Sequence, residues 1–274
     1  MHSGAIIALT QRELIRFLRQ RTRIIGAVGQ PVIFWLLFGA GLRTSFRPPS
    51  WAADLGHDLT YQEYFLPGVA TLIVLFTAIF STISIIEDRR EGFLQGVLVA
   101  PVSRLAIVLS KITAGTILAI LQAGLFLLIG PMLSWIGAGA DIHVSWSVAR
   151  IAMAAVFLVL MAAELTALGF VIAWPMNSTQ GFHAIMSIFL MPMWLVSGAF
   201  FPGGDSGWLF WLIRINPLTY GVAGLRRLLY EQSLPVTPEL PSMWTCLSVT
   251  VIATIGLTLL SARLVTRASA HNAA

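Results

Sequence analysis

Apolar residues run almost unbroken over 24–42, 66–86, 105–133, 149–173, 182–201 and 244–262, with most polar and charged residues gathered between these runs. A helix needs about 20 residues to cross roughly 30 Å of hydrocarbon, and each run is long enough. The pattern predicts an all-α membrane protein with six transmembrane helices, organised as one transmembrane domain over 1–274. The island between the second and third runs has a different rhythm. Asp88, Arg89, Arg90 and Glu91 come first, and Phe93, Leu94, Val97 and Leu98 then fall at the spacing of one helix face. Ala100-Pro101 ends it, because the residue before a proline is pushed out of the helical region. Residues 88–101 are therefore expected to form a short water-facing helix with an apolar side suited to docking.

Two other stretches carry shorter patterns. Near the amino end, Arg12, Arg16, Arg19 and Arg23 are spaced by four, three and four residues, while Leu14, Phe17, Leu18 and Ile25 occupy another face. This predicts an amphipathic helix lying in the membrane interface with its arginines on lipid phosphates. In 202–243, the stretches Trp208–Ile213 and Leu225–Tyr230 are apolar, but Arg214, Asn216 and Pro217 interrupt them. Broken backbone survives at membrane depth only against protein or water, so two short re-entrant outer helices are expected there, not a seventh span.

Composition agrees with this reading. The chain of 274 residues is 57% hydrophobic and only 11% charged, with a mean hydropathy of +0.83, which places it with integral membrane proteins. The net charge of +5 suits the cytoplasmic flanks of spans and calls for no nucleic-acid partner. Eleven Lys/Arg fall on one side of the predicted spans and six on the other, the six being Arg43, Arg47, Arg150, Arg214, Arg226 and Arg227. The excess puts both termini in the cytoplasm, in a cell inner membrane; Arg226-Arg227 runs against it locally. No cleavable signal peptide is read, because the arginine-rich start is too long and lacks an Ala-x-Ala-like exit.

Candidate chemistry is sparse. The sequence has no Gly-x4-Gly-Lys-Ser/Thr, His-Glu-x-x-His or Gly-x-Ser-x-Gly pattern, so no catalytic residues are assigned and the chain is not expected to be an enzyme. His2, His57, His143, His183 and His271 are scattered along the chain and Cys246 is the only cysteine, so no metal site is expected. Glu164 is the one carboxylate well inside a span, about 21 Å deep by helical rise. An ionisable group at that depth is a candidate for the transport route, or a protonated hydrogen-bonder beside Thr166. A proton-coupled secondary transporter using Glu164 is the less favoured reading, since other buried charges and an inverted repeat are not seen.

Two separated motifs carry a resemblance. Asp88-Arg89-Arg90-Glu91-Gly92-Phe93-Leu94 with Leu98-Val99-Ala100-Pro101-Val102-Ser103-Arg104 is the first. Leu195-Val196-Ser197-Gly198-Ala199-Phe200-Phe201-Pro202 followed by Asn216-Pro217-Leu218-Thr219-Tyr220 is the second. Together they resemble the permease signature of type-2 ABC exporters, most of all daunorubicin-resistance-type drug-export permeases. The resemblance implies a homodimeric permease working with a separate pair of ATPase subunits, which would carry ATP and Mg; no cofactor is implied for this chain. It makes the loop with Asp88, Arg89, Arg90, Glu91, Phe93, Leu94, Val97 and Leu98 a coupling helix that docks on the ATPase. It places Ser197, Phe200 and Phe201 beside an outer lid of the route, with Glu164 as a further candidate. An amphipathic drug-like or lipid-like substrate is expected, with polysaccharide or lipid-linked glycan export as the alternative. Gln95-Gly96, where a charged pair is expected, and Ser110 before Lys111, where Gly is expected, depart from the family pattern.

Overall fold

The computed structural model describes residues 2–135, 142–200, 207–230 and 234–271. These form helices and no β-strand. In chain order they are α1 (His2–Arg19), α2 (Arg21–Gly41), a 3-10 turn (Ser50–Leu55), α3 (Tyr61–Arg90), α4 (Phe93–Val99), α5 (Arg104–Trp135) and α6 (Val148–Ala173). Then follow α7 (Thr179–Ile185), α8 (Met191–Trp194), α9 (Gly207–Ile215), α10 (Pro217–Leu229) and α11 (Met243–His271).

Five segments are long and apolar enough to cross a bilayer: Tyr61–Arg90, Arg104–Leu133, Val148–Ala173, Thr179–Ala199 and Met243–Arg267. The protein is an integral membrane protein. The first predicted run, 24–42, is helical within α2, but its apolar part, Val28–Gly41, is shorter than these five. Arg21, Arg23, Gln30 and Pro31 interrupt the apolar run in the first half of that helix.

The second span, α3, is the centre of the bundle, buried along most of its length against α2, α5, α6 and α10. Its apolar residues sit among other helices and are nearly all side-chain packed, including Phe65, Leu72 and Ile73. In contrast, Leu121, Leu125 and Leu128 of α5 and Ile252, Ile255 and Leu259 of α11 are exposed apolar side chains. Such faces are suited to hydrocarbon, where they cost nothing to leave outside the protein core.

Close approach depends on small residues. A Cβ on Gly115 of α5 would lie 2.5 Å from Ser81 Oγ and from Thr166 Cγ2, joining α3, α5 and α6 at one crossing. The fifth span is a broken helix: α7 and α8 are joined by a π turn over Met186–Leu190, and a second π turn over Leu195–Ala199 ends it. Gly198 there has φ +73°, a left-handed conformation that glycine adopts without a Cβ penalty. The carbonyls freed by the break are not left bare. Tyr64 donates its hydroxyl to Gly198 O at 2.8 Å and Tyr61 donates to Phe200 O at 2.7 Å.

The segment expected to hold two short outer helices contains α9 and α10. Their junction explains the Asn216-Pro217-Leu218-Thr219-Tyr220 motif. Asn216 caps α10 by accepting from Leu218 N at 3.0 Å, and Pro217 takes the first helical position, where its missing N–H costs no bond. Thr219 Oγ1 then donates back to Ile213 O at 2.7 Å, and Tyr220 to Arg214 O at 2.9 Å.

Candidate functional site

The island at 88–101 divides between two helices. Asp88, Arg89 and Arg90 finish α3, Gly92 makes the turn at φ +77°, and the separate helix α4 starts only at Phe93. Asp88 does not face water: it is 1% exposed. A carboxylate there needs cations, and three reach it. Arg12 Nη2 donates at 2.7 Å, Arg16 Nη1 at 2.6 Å and Lys111 Nζ at 2.6 Å. Lys111 also contacts Glu13 Oε1 at 2.9 Å, and Arg16 reaches Glu87 and Glu91 at 3.0 Å each. Burial alone would lower the Arg12 guanidinium, but Asp88 and Glu13 outweigh it and hold the group above the usual arginine range. The result is a charged knot joining α1, α3 and α5, with Glu91 of the turn before α4.

This arrangement changes the role read for several residues. Arg12 and Arg16 were expected at lipid phosphates, yet they turn inward to carboxylates, because Asp88, Glu13 and Glu87 are buried or half-buried and need the charge. Arg89 donates to Trp174 O at 2.5 Å and Met176 O at 2.8 Å, and Arg90 Nε donates to Asn177 O at 3.0 Å. Both arginines thereby satisfy carbonyls just past the end of α6. Leu94, expected on the docking side, is 4% exposed and faces the bundle. Phe93 lies under Arg12, whose guanidinium carbon is 3.6 Å from the ring centroid. Val97 and Leu98 are half-buried, and the outward face of α4 is made by Gln95, Gly96 and Val99, the last 87% exposed.

Glu164 is 3% exposed on α6. It forms no hydrogen bond or ion pair among the described residues, and Thr166 is not its partner: that hydroxyl donates to Ala162 O at 2.7 Å. Ser197 is buried and donates to Trp194 O at 2.6 Å. Phe200 packs edge-on against Phe38, Phe65 and Trp194, an aromatic packing layer. Phe201 lies outside the described residues.

The end of the bundle opposite α4 contains groups that sequence reasoning missed. Arg226 is 3% exposed. It donates to Gly198 O at 3.1 Å and Tyr64 O at 3.3 Å, with its guanidinium carbon 4.2 Å from the Tyr64 ring centroid. Arg227 donates to the carbonyls of Leu234, Pro235, Leu240 and Pro241 at 2.7 to 2.8 Å, and Arg150 donates to Tyr230 O. These arginines bind irregular backbone, so their presence at this end has a structural cause independent of membrane orientation. Their only sequence signal was that they ran against the charge bias. At the same end, His57 and His143, read as scattered, both meet the buried Glu63, at 3.1 Å and 3.8 Å.

Known proteins fit this architecture. The family described as ABC-2 type transporter matches residues 4–230, from α1 through the end of α10. A protein named "Putative transport permease ycf38" in Cyanophora paradoxa is 26% identical over 230 residues, covering 83% of this chain and 74% of its own. Its namesake in Porphyra purpurea is 27% identical over 231 residues, covering 81% and 72%. That of Pyropia yezoensis is 26% identical over 273 residues, covering 95% and 87%. By a match that takes in most of its length, on an all-helical, membrane-spanning fold, the chain belongs to the ABC-2 type transporter family.

Proposed function

We propose that this chain is the membrane permease of an ATP-driven exporter, one transmembrane domain that works as a homodimer with a separate pair of ABC ATPase subunits. ATP and Mg are bound and used on those partners. In this reading α2 completes a set of six spans, α1 lies in the interface, and the chain sits in the cytoplasmic membrane with both termini inside. Its cargo is an amphipathic drug-like or lipid-like compound, a class suited to the apolar, aromatic-rich spans. Glu164 stands in the transport route, a buried carboxyl group with no hydrogen bond or ion pair among the described residues.

The observation that carries the proposal is the setting of α4. It is a short helix with an exposed outward face just past the end of α3, held by Arg12 of α1 over the Phe93 ring and by Arg104 of α5, which donates to Leu98 O at 2.7 Å. A push on α4 therefore reaches α3 through Arg12, which touches the Phe93 ring and pairs with Asp88. The docking face in this reading is Gln95, Gly96 and Val99 with the edges of Val97 and Leu98, while Asp88, Arg89, Arg90, Glu91, Phe93 and Leu94 hold that face in place.

Co-purification tests it. Val99→Asp with Gly96→Asp should cut recovery of the ATPase subunit by about tenfold, the effect of losing roughly 1.4 kcal/mol at a docking hot spot. Insertion of the permease should be unaffected, since a Cβ on Gly96 meets no heavy atom within 4 Å. Full recovery of the ATPase with this double variant would remove α4 as the dock.

A further inference from the structure

We propose that His57, His143 and Glu63 form a binding site for a divalent transition-metal ion of the zinc class, at the end of the bundle opposite α4. One donor atom from each lies within 4.8 Å of the others. His57 Nε2 is 3.1 Å from Glu63 Oε1, and His143 Nδ1 is 3.8 Å from Glu63 Oε2. Zinc held by imidazole nitrogen and carboxylate oxygen at about 2.0–2.2 Å in tetrahedral geometry puts its ligand atoms roughly 3.3–3.6 Å apart. The two separations, one to each Glu63 oxygen, lie near that value, and drawing the three donors from within 4.8 Å of one another onto an ion requires the side chains to close in. Two histidines and a glutamate are also a ligand set that zinc uses when it keeps a fourth position open.

Glu63 supplies an independent reason. It is 0% exposed, and its Oε2 has no hydrogen-bond partner among the described residues. A carboxylate out of water with an unmatched oxygen is costly unless a cation compensates it. The spacing Thr60-x-x-Glu63 is that of a capping box, in which the glutamate would turn back to the Thr60 N–H. Half of the box is present: Thr60 Oγ1 accepts from Glu63 N at 3.2 Å. The carboxylate, however, points to the histidines instead.

The histidine tautomer points the same way. His57 Nδ1 lies 3.1 Å from Leu55 O. A carbonyl only accepts, so Nδ1 carries the hydrogen, and in a neutral ring Nε2 is a lone pair. That lone pair then faces a carboxylate oxygen at 3.1 Å, and two acceptors at that distance require a positive centre between them, a proton or a metal ion. A ring nitrogen donating to a backbone carbonyl is also how proteins orient metal-binding histidines. Access is open: His57 and His143 line a recess of about 320 Å³ with Ile142, Trp146 and Tyr230. An ion there would join the turn before α3, the first turn of α3 and the segment leading into α6.

The full chain, purified through a tag without histidines and placed in lipid nanodiscs after chelator treatment, should bind one cobalt(II) ion with the visible absorption of a low-coordinate site. Zinc should displace it. His143→Ala, at an exposed position, and His57→Ala should each weaken cobalt binding by more than the ~10–100-fold that loss of an outer-shell partner brings. Glu63→Gln should do the same. His183→Ala, whose ring lies against Phe80, should leave binding unchanged. Cobalt binding that persists in the His57→Ala/His143→Ala double variant would overturn the proposal. So would a wild-type chain that binds no more than that variant, in which case the histidines serve only as cationic partners of Glu63.

Discussion

Glu164 and Glu63 are both buried carboxylates, and they differ in what surrounds them. Glu63 stands between two imidazoles, whereas Glu164 has neither cation nor donor among the described residues, with Thr166 bonded to Ala162 O instead. A lone carboxyl group at 3% exposure is a burden on stability, and such residues persist in spans for function. Glu164→Leu is therefore expected to raise the thermal midpoint by about 2–4 °C, the shift that about 1 kcal/mol brings in a chain of this size. It should also lower substrate-stimulated ATP hydrolysis by the reconstituted complex, and Glu164→Gln should lower it less. A Leu variant that loses folded material, with Gln like wild type, would make Glu164 a structural residue. Glu164 was legible in the sequence because a charge inside a long apolar run is conspicuous. Glu63 was not, because it sits at a helix start where carboxylates are ordinary, and one of its partners, His143, comes from a distant segment.

The elements were legible where a single period ran uninterrupted, as in α3, α5, α6 and α11. Boundaries were less so. Gly92 in its left-handed conformation splits the 88–101 island, so residues read as one amphipathic face belong to two helices, and Leu94 turns inward. The break in the fifth span was likewise hidden, since Ser197-Gly198-Ala199 reads equally well as close packing or as a span end. The contact that fixes it is between backbones: a Cβ on Gly68 of α3 would lie 2.7 Å from Ala199 O and 2.9 Å from Ala199 Cα. Neither atom is the end of a flexible side chain, so the added methyl must push the broken helix away from α3. Gly68→Ala should thus cost about 1–3 kcal/mol and lower the melting temperature by several degrees, measured on the detergent-solubilised protein. Gly124→Ala on α5 meets nothing within 4 Å, and should be neutral or stabilising by up to about 1 kcal/mol through helix propensity. Equal melting temperatures for the two variants would show that the Gly68 contact does not hold the fifth span.

At the scale of the whole molecule, α3 connects two charged centres. Glu63 near its start and Asp88 near its end are separated by about 38 Å of helical rise, enough to set them at opposite faces of a bilayer. The Asp88 knot gathers Arg12, Arg16 and Lys111, while the Glu63 end gathers histidines and arginines that bind backbone carbonyls. This bears on orientation. The local objection to cytoplasmic termini was Arg226-Arg227, and both have partners at their own end that account for them: Gly198 O and Tyr64 O for one, four loop carbonyls for the other. In the proposed six-span reading, the eleven-to-six excess of Lys/Arg on the Asp88 side is the signal that puts the termini in the cytoplasm. The expected outcome follows in a Cys246→Ala background, which removes the chain's only cysteine. A cysteine at exposed Ser50, on the Glu63 side, should react with an impermeant thiol reagent added outside intact cells. A cysteine at exposed Gln180, between α6 and the body of the fifth span, should react only after the membrane is permeabilised. Neighbouring Ser178 is left in place because its hydroxyl accepts from Gly181 N and caps α7. Labelling at Gln180 and not at Ser50 in intact cells would invert the orientation, placing the α4 face outside, where no ATPase could reach it.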